Sequence, residues 1–250
     1  MAHNYEQGVL EAVGEDEADH LQPQHERFSE ITGYRRASHP WQVVDGYLDK
    51  ARPGGDHRQH QLELAAAGGH NLLLAGPPGT GKTMLGRRLP SILPPLEPRE
   101  ALEVMGIHSV AGVLPPERPL ITRRPFRAPH HSASTAAIVG GGPGPRPGEA
   151  SLAHHGALFL DETLQFRADA LDALRGPIDS GTVHIARVDR VVALPASFML
   201  LLAYNPCPCG WWAVDGRECS CEDGARRRYQ ARLSGPMRDR LDLIVHLEPV

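Results

Sequence analysis

Eight consecutive residues, 76 to 83, have the types and the spacing needed to hold the phosphates of a nucleotide. They follow the pattern G-x-x-x-x-G-K-[ST] at every position. Glycine at 76, 79 and 81 allows close approaches and dihedral angles that a Cβ would prevent, so main-chain N–H groups can surround an anion. Lys82 can reach the β- and γ-phosphates, and the Thr83 hydroxyl can bind Mg²⁺. The predicted contacts with a nucleoside triphosphate are Gly76, Pro77, Pro78, Gly79, Thr80, Gly81, Lys82 and Thr83.

A pair of carboxylates further along the chain could complete such a site. Residues 157 to 160 form a short apolar run of strand character, and Asp161 and Glu162 follow it directly. Such a run before two acids is common and often marks only a strand that enters a solvated turn. In a chain with a phosphate loop, however, we expect Asp161 to hold magnesium and Glu162 to orient and activate the attacking water.

The elements around these motifs predict a parallel sheet flanked by helices. Strands are predicted at 71–75, before the phosphate loop, and at 198–203, where Asn205 follows and could sense the γ-phosphate. Two runs of β character at 182–186 and 190–194 indicate a hairpin. The helices predicted from apolar spacing and from glycine or proline at their ends are 62–67, 84–89, 97–105 and 169–175.

Length and charge set the outer limits. The 250 residues suffice for one sizeable α/β domain with or without tails, and the first 30 carry eight acids against one arginine. We therefore predict a disordered acidic tail over 1–35 and one domain over 36–250. No apolar stretch is long enough for a membrane span and no secretory signal is apparent, so the expectation is a cytoplasmic protein. The net charge of −4 argues against wholesale capture of nucleic acid, although a local basic strip could still bind it.

Residues 114–148 are rich in proline, glycine and arginine, which predicts an inserted functional element. Its arginines at 118, 123, 124 and 127 could form a strip that faces nucleic acid or a partner, although a solvated loop is the plainer interpretation of each. The pairs His130-His131 and His154-His155 invite a metal interpretation. Adjacent side chains in a strand point to opposite faces, so structural or contact roles are favoured for both pairs.

All four cysteines lie within a loop predicted at 206–222, as Cys207, Cys209, Cys219 and Cys221. Clustered thiols in a reducing compartment favour a metal over disulfides, and four of them could hold Zn²⁺ tetrahedrally. The spacing C-x-C is less typical of zinc sites than C-x-x-C. Reduced cysteines in a surface loop are the alternative.

Taken together, these blocks resemble the AAA+ ATPases, and in particular the magnesium-chelatase-like branch that includes the ComM/YifB proteins. The resemblance rests on several stretches besides the two motifs, namely 65–71, 124–132, 147–154, 205–210 and 232–242. It implies an α/β P-loop fold of AAA+ type with a parallel five-stranded sheet, β-hairpin and loop insertions, ATP and Mg²⁺ as ligands, and a ring, expected to be a hexamer.

The resemblance also implies roles for single residues. Asn205 would be the sensor that positions the lytic water, and Arg240 would be the arginine finger that a neighbouring subunit supplies. For Arg240, an ordinary surface ion pair with Asp239 or Asp242 is the alternative. The sequence departs from the family pattern at two places, Thr163 to Phe166 after the acid pair and Met237-Arg238. Neither departure touches a catalytic position. The family's helical lid is expected to be missing from this chain.

Two functions follow from the resemblance, and a third stands against both. The first is an ATP hydrolase that remodels DNA, as in ComM-like branch migration, and the cysteine block and the Ala128-Pro-His-His131 block favour it. The second is the ATPase subunit of a magnesium chelatase. The third is an ATP-binding remnant with little turnover.

Overall fold

The computed structural model describes residues 57–114, 120–141, 146–186, 191–214 and 216–248, with the backbone alone at 57–60 and 186. The structural statements that follow refer to these residues. The acidic tail predicted at 1–35, Arg118 and the turn of the predicted hairpin at 187–190 lie outside them.

The described strands and helices are interspersed along the chain. The strands are β1 (Leu72–Ala75), β2 (Phe126–Arg127), β3 (Gly140–Gly141), β4 (Arg146–Pro147), β5 (Ala157–Leu160), β6 (Thr182–Ala186), β7 (Val191–Pro195), β8 (Met199–Tyr204) and β9 (Leu243–His246). The helices are α1 (His57–Gly68), α2 (Lys82–Arg88), α3 (Pro98–Val110), α4 (Thr135–Val139), α5 (Glu149–Leu152), α6 (Ala168–Asp172), α7 (Arg175–Ser180), α8 (Asp223–Gln230) and α9 (Gly235–Arg238). None of them combines the length and the apolar character that a membrane crossing requires.

Five strands form one sheet in the order β2-β5-β8-β1-β9, and every pair in it is parallel. This confirms the five-stranded parallel sheet expected from the resemblance. Strand β8 lies at its centre, with Leu201 beside Leu72 on one side and Phe159 on the other. Because all strands run the same way, the chain leaves β1, β5 and β8 at one common edge.

The sheet is buried on both faces. Successive side chains of a strand point to opposite faces, so alternate residues of each strand belong to two separate parts of the core. One face consists of Leu73, Leu158, Leu160, Leu200 and Leu202, covered by Ile138, Ala150, Leu171 and Met237 of α4, α5, α6 and α9. The other face consists of Leu72, Leu74, Phe159, Leu201 and Ala203, covered by Leu62, Ala65 and Leu85 of α1 and α2. The result is a three-layer α/β/α core that holds the strand ends rigidly.

Several predicted boundaries shift in the structure. The hairpin forms as β6 and β7, with Thr182 opposite Pro195. The helix predicted at 97–105 starts at Pro98, after a capping box between Glu97 and Glu100, and extends to Val110. The single helix predicted at 169–175 is wrong, because α6 ends at Asp172 and α7 begins at Arg175.

The segment 114–148 is not a pure insertion. Its strand β2 pairs with β5, placing Phe126 beside Ala157, so this part of the segment belongs to the central sheet. A two-residue strand leaves too short a pattern for sequence analysis to detect. Strands β3 and β4 of the same segment form a separate small antiparallel pair.

Two arginines of the strip predicted in that segment have partners within the protein. Arg127 forms a bidentate ion pair with Glu149, at 2.6 and 2.9 Å. Arg124 pairs with Glu100 at 3.0 Å and donates to the carbonyl of His155 at 2.8 Å. Both guanidinium groups therefore connect neighbouring elements, which leaves Arg123 as the exposed member of the strip in the described residues.

The expectation that His154 and His155 point to opposite faces is wrong. They lie in the turn between α5 and β5, where His155 has a φ of 55°, and both Nε2 atoms lie near Oε2 of Glu103, at 3.2 and 2.9 Å. His154 Nδ1 accepts from the backbone N–H of Ser197 at 3.1 Å, so its proton sits on Nε2 and faces the carboxylate. A nitrogen that carries a proton cannot ligate a metal. The contacts of His154 and His155 with Glu103 therefore fit a structural role, in which hydrogen bonds attach α3 to the turn before β5.

Asn71 connects three strands at the amino end of the sheet. Its Oδ1 accepts from the N–H of Leu200 at 2.8 Å, and its Nδ2 donates to the carbonyl of Arg240 at 2.9 Å. Its own N–H donates to the Asp242 carboxylate at 2.7 Å. One polar residue therefore ties β1 to β8 and to the segment that enters β9.

We expect Asn71→Ala to lower the free energy of unfolding by about 2 kcal/mol, because two part-buried side-chain hydrogen bonds are lost. Chemical denaturation measures this difference. Ser91→Ala is the control, since the exposed Ser91 hydroxyl donates to Arg88 within one turn, and it should stay close to the parent. A loss no larger than that of the control would contradict the bridging role.

His154 should make stability depend on pH. Burial lowers the pKa of the His154 imidazole below its ordinary value of 6.5, despite the opposing Glu103 hydrogen bond. The unfolded state therefore takes up more protons, so this contribution is present above pH 6.5 and is lost as the pH falls towards the folded pKa.

In denaturation series on either side of that value, we expect His154→Gln to lose less stability on acidification than the parent does. His184→Gln, which replaces an exposed histidine of β6, should keep the parent's dependence. An unchanged slope in His154→Gln would rule out His154 as its source.

Candidate nucleotide site

The loop between β1 and α2 has the backbone that its glycines were predicted to permit. Gly79 and Gly81 have φ angles of 82° and 86°, in the left-handed region that favours glycine. At Gly76 the φ is not the constraint; a methyl group there would lie 2.4 Å from the carbonyl oxygen of Leu247. The three glycines therefore meet two different requirements, and both involve the backbone.

Lys82 is buried and folded back onto the loop. Its Nζ donates to the carbonyls of Gly76 and Pro77, both at 2.7 Å, and the Thr80 hydroxyl donates to Pro77 at 2.9 Å. Burial lowers the pKa of the Lys82 ammonium, while the Asp161 carboxylate acts in the opposite direction. The cation is thus held inside the curve of the loop that would receive an anion.

The structure brings the two predicted magnesium ligands into contact. The Thr83 hydroxyl donates to Oδ2 of Asp161 at 2.6 Å, although 78 residues separate them in sequence. Thr83 is in the first turn of α2, and Asp161 follows the last residue of β5. A hydroxyl and a carboxylate are the oxygen ligands that Mg²⁺ prefers, so the pair fits the expected ion.

Glu162 occupies an unusual backbone position beside this pair. Its φ is 52°, which is uncommon for a residue with a side chain, and its N–H donates to Oδ1 of Asp161 at 2.9 Å. Its Oε2 lies 3.2 Å from Nδ1 of His131. The turn therefore directs the two carboxylates differently, Asp161 to Thr83 and Glu162 to His131.

Thr163 fixes this turn against the neighbouring strand. Its buried hydroxyl donates to the carbonyl of Leu160 at 2.7 Å and accepts from the N–H of Ala203 at 3.1 Å. The hydroxyl thus joins the ends of β5 and β8, which precede Glu162 and Asn205. From the sequence, Thr163 stood out only as a departure from the family pattern, and its positioning role was missed.

Asn205 lies at the same edge as the phosphate loop. It follows Tyr204, whose carbonyl accepts from the N–H of Gly76 at 3.3 Å, so the end of β8 touches the start of the loop. Burial raises the pKa of the Tyr204 phenol and keeps it neutral. The sequence placed Asn205 at a strand tip, and the parallel sheet brings that tip to the phosphate loop.

His131 is a second residue whose place sequence reasoning missed. It follows β2, and β2 lies parallel to β5, so the residues after both strands leave the sheet at the same edge. Its ring also packs edge-on against Phe166, with centroids 6.5 Å apart. No sequence signal could have found this place, because the strand that leads to His131, Phe126–Arg127, has only two residues and leaves no periodic pattern.

Arg240 is held by a partner that the sequence did not suggest. Its Nε donates to Oδ1 of Asp179 at 2.7 Å and its Nη2 to the other carboxylate oxygen. The Arg240 hydrogen bond lowers the pKa of Asp179. The expected neighbour Asp242 instead accepts from Asn71. Among the described residues, Arg240 thus forms a bidentate ion pair with Asp179 of α7.

The four cysteines meet in one cluster after β8. Their Sγ atoms all lie within 4.8 Å of one another, and none forms a disulfide. Backbone hydrogen bonding from Trp211 lowers the pKa of Cys209 to about 5, which favours its thiolate form. The two C-x-C pairs are therefore brought together by the fold, as a metal site requires.

Comparison with known proteins relates this geometry to a family. A family model described as "Magnesium chelatase, subunit ChlI" matches residues 51–250. The uncharacterized protein Rv2897c of Mycobacterium tuberculosis is 53% identical over 195 residues, YifB of Escherichia coli 49% over 194, and competence protein ComM of Haemophilus influenzae 47% over 196. Each alignment covers 78% of this chain and 38% of the relative.

Among solved structures, NtrX of Brucella abortus aligns over 76% of this chain and 36% of its own, with a TM-score of 0.47 and 13% identity. The family is shown by the family model and by the sequence relatives. The residues that the family model matches contain the phosphate loop, the acid pair and the whole described sheet. The chain belongs to the magnesium chelatase ChlI-subunit family of AAA+ ATPases and has the α/β P-loop fold of that type.

Proposed function

We propose that this chain is the ATP-hydrolysing core of a cytoplasmic ring, a hexamer, that couples hydrolysis to the remodelling of DNA. The observation that carries the ATPase part is the 2.6 Å contact between Thr83 and Asp161, which joins the two halves of the nucleotide site. The AAA+ domain in this proposal covers 36–250. The whole relatives are longer, since the chain spans 38% of each.

Each site residue then has one task. The phosphate loop and Lys82 bind the triphosphate, and Glu162 takes the proton of the attacking water. Asn205, at the end of the central strand, orients that water. Mg²⁺, held by Thr83 and Asp161, would neutralise charge on the phosphate oxygens.

DNA as the remodelled substrate is supported by the resemblance to ComM-like proteins and by local charge. Residues 224–238 include five arginines and no carboxylate, although the whole chain has a net charge of −4. In that stretch Arg227 and Arg228 are exposed on α8. Exposed guanidinium groups of one sign attract a polyanion and can bind its phosphates.

The description of the matched family favours a second candidate, the ATPase subunit of a magnesium chelatase. Its substrate would be a porphyrin complex with no need for DNA. The two candidates share the nucleotide site and differ in what changes the rate of hydrolysis. A response to DNA therefore separates them.

We expect the parent chain to hydrolyse ATP and Glu162→Gln to reduce kcat by about 100-fold or more while it still binds nucleotide, because the general base is lost. Lys82→Ala should lose binding itself, since its ammonium lies within the loop proposed to bind the phosphates. Phosphate release and binding of a fluorescent ATP analogue measure the two effects. An absence of turnover in the parent, with binding intact, would favour an ATP-binding remnant.

The same assay with single- or double-stranded DNA tests the substrate. We expect DNA to raise the rate, and we expect this stimulation to weaken when Arg227 and Arg228 are both changed to serine. Arg99→Ser, an exposed arginine on α3, serves as the matched control. A chain that hydrolyses ATP but neither binds DNA nor responds to it would exclude the DNA part and leave the chelatase.

Arg240 is proposed to act on the nucleotide of a neighbouring subunit. Arg240→Ala should then reduce turnover by about 10³-fold, as loss of an arginine finger does. Mixing is the sharper test, because Lys82→Ala and Arg240→Ala subunits should each be inactive alone. In a mixed ring, the first can supply Arg240 to the intact phosphate loop of the second.

We expect the mixture to regain activity that neither variant has alone. Arg238→Ala, which removes a nearby guanidinium that donates to the Gln230 carbonyl, should remain active and is the control. If mixing restores nothing although the subunits assemble, Arg240 serves only its ion pair with Asp179.

A further inference from the structure

The cysteine cluster has the spacing of a metal site. The Sγ of Cys207 lies 3.3 Å from that of Cys209 and 3.7 Å from that of Cys219, and the Cys209 and Cys219 sulfurs are 3.6 Å apart. A tetrahedral zinc ion with Zn–S bonds of about 2.3 Å would place its sulfurs about 3.8 Å apart. The four thiols therefore need only small movements to surround one ion.

The surroundings of the sulfurs suit a negatively charged metal centre. Nη1 of Arg226 approaches the Sγ of Cys219 at 3.8 Å, and the N–H of Cys209 donates to the Sγ of Cys221 at 3.4 Å. Four thiolates around a divalent ion have a net charge of −2, which a guanidinium and a backbone N–H both offset. Soft thiolate ligands in a tetrahedral set select zinc over the magnesium that the nucleotide site requires.

The loop that the cysteines close touches the phosphate loop. Gly210 follows Cys209, has a φ of 87°, and its N–H donates to the carbonyl of Cys207 at 3.0 Å. A methyl group at Gly210 would lie 2.5 Å from Cδ of Pro78, which is a residue of the phosphate loop. The cysteine loop therefore packs directly against the segment predicted to bind phosphates.

The same loop continues from the end of the central strand. Cys207 comes two residues after Asn205, and Cys207 is completely buried. The side chain of Gln230 on α8 donates to the carbonyl of Pro206 at 3.1 Å, which ties the start of the loop to the helix that follows it. A rigid cysteine loop would therefore restrict the movement of both Asn205, through the chain, and Pro78, through its contact with Gly210.

We propose that the four cysteines bind one Zn²⁺ and that the metal-closed loop, through Gly210 and Pro78, holds the phosphate loop in its nucleotide-binding conformation. Zinc and nucleotide then bind cooperatively, although neither touches the other. Without the ion, no bond would join the two C-x-C pairs of the cysteine loop. The contact of Gly210 with Pro78 would then support the phosphate loop less firmly. The proposal rests on the nucleotide site of the proposed function.

Metal content tests the first half. We expect about one zinc per chain by elemental analysis, and cobalt in place of zinc should give the absorption of a tetrahedral thiolate site. Cys219→Ser should lose most of the metal. A purified, folded parent with no zinc, with iron instead, or with its thiols paired as disulfides would overturn the site.

A glycine pair tests the coupling without changing a metal ligand. Gly210→Ala should keep its zinc but weaken binding of a fluorescent ATP analogue with Mg²⁺ by about tenfold, because the new methyl group pushes against Pro78. Gly216→Ala is the matched control. Gly216 also has a positive φ, 72°, but a methyl group there meets no atom within 4 Å, so its nucleotide affinity should equal that of the parent.

Removal of zinc from the parent by a chelator should weaken binding of the ATP analogue to a similar degree, and added zinc should restore that binding. Circular dichroism of each sample shows whether the fold persists. If the zinc-loaded parent binds no nucleotide, the proposed function fails and the metal site stands. If the parent binds nucleotide but chelation and Gly210→Ala both leave its affinity unchanged, the coupling fails alone.

Discussion

Parallel pairing of the three central strands is the constraint on which the rest of the structure depends. Since β8 lies between β1 and β5 and all run the same way, Gly76, Asp161 and Asn205 leave the sheet at one edge. Helices cover both faces of the sheet, so its strand ends have little freedom to move apart. This single arrangement brings residues with a hydroxyl, two carboxylates and an amide, from separate segments, to one edge of the sheet.

The turn after β5 shows how strain is maintained at such an edge. Glu162 has a left-handed φ, a conformation that costs free energy for a residue with a side chain and persists only where its surroundings enforce it. The Thr163 hydroxyl supplies that enforcement by joining the ends of β5 and β8. His131, reached through the parallel strand β2, then contacts the Glu162 carboxylate. A strained backbone position that directs a carboxylate to a defined partner is typical of a residue positioned for chemistry.

The candidate nucleotide site is also tied to segments far along the chain. Asn71, just before β1, bonds to the carbonyl of Arg240, so the backbone of the proposed finger is linked to the strand that leads into the phosphate loop. On the other side of the loop, Gly210 packs against Pro78. Both contacts are short and involve a backbone group or a glycine. A shift of either distant segment would therefore be passed to the phosphate loop or to the strand before it.

The sequence by itself determined the phosphate loop, the acid pair, the strand before each of them and the family, because these depend on short contiguous patterns. It could not place β2, whose two residues leave no periodic signal, nor the positioning roles of Thr163 and His131. It also could not show that His154 and His155 share Glu103, or that Asp179 holds Arg240. Those contacts join residues dozens of positions apart, and only the tertiary structure decides which distant polar groups meet, because their pairing depends on how the elements pack and no local pattern in the sequence records it.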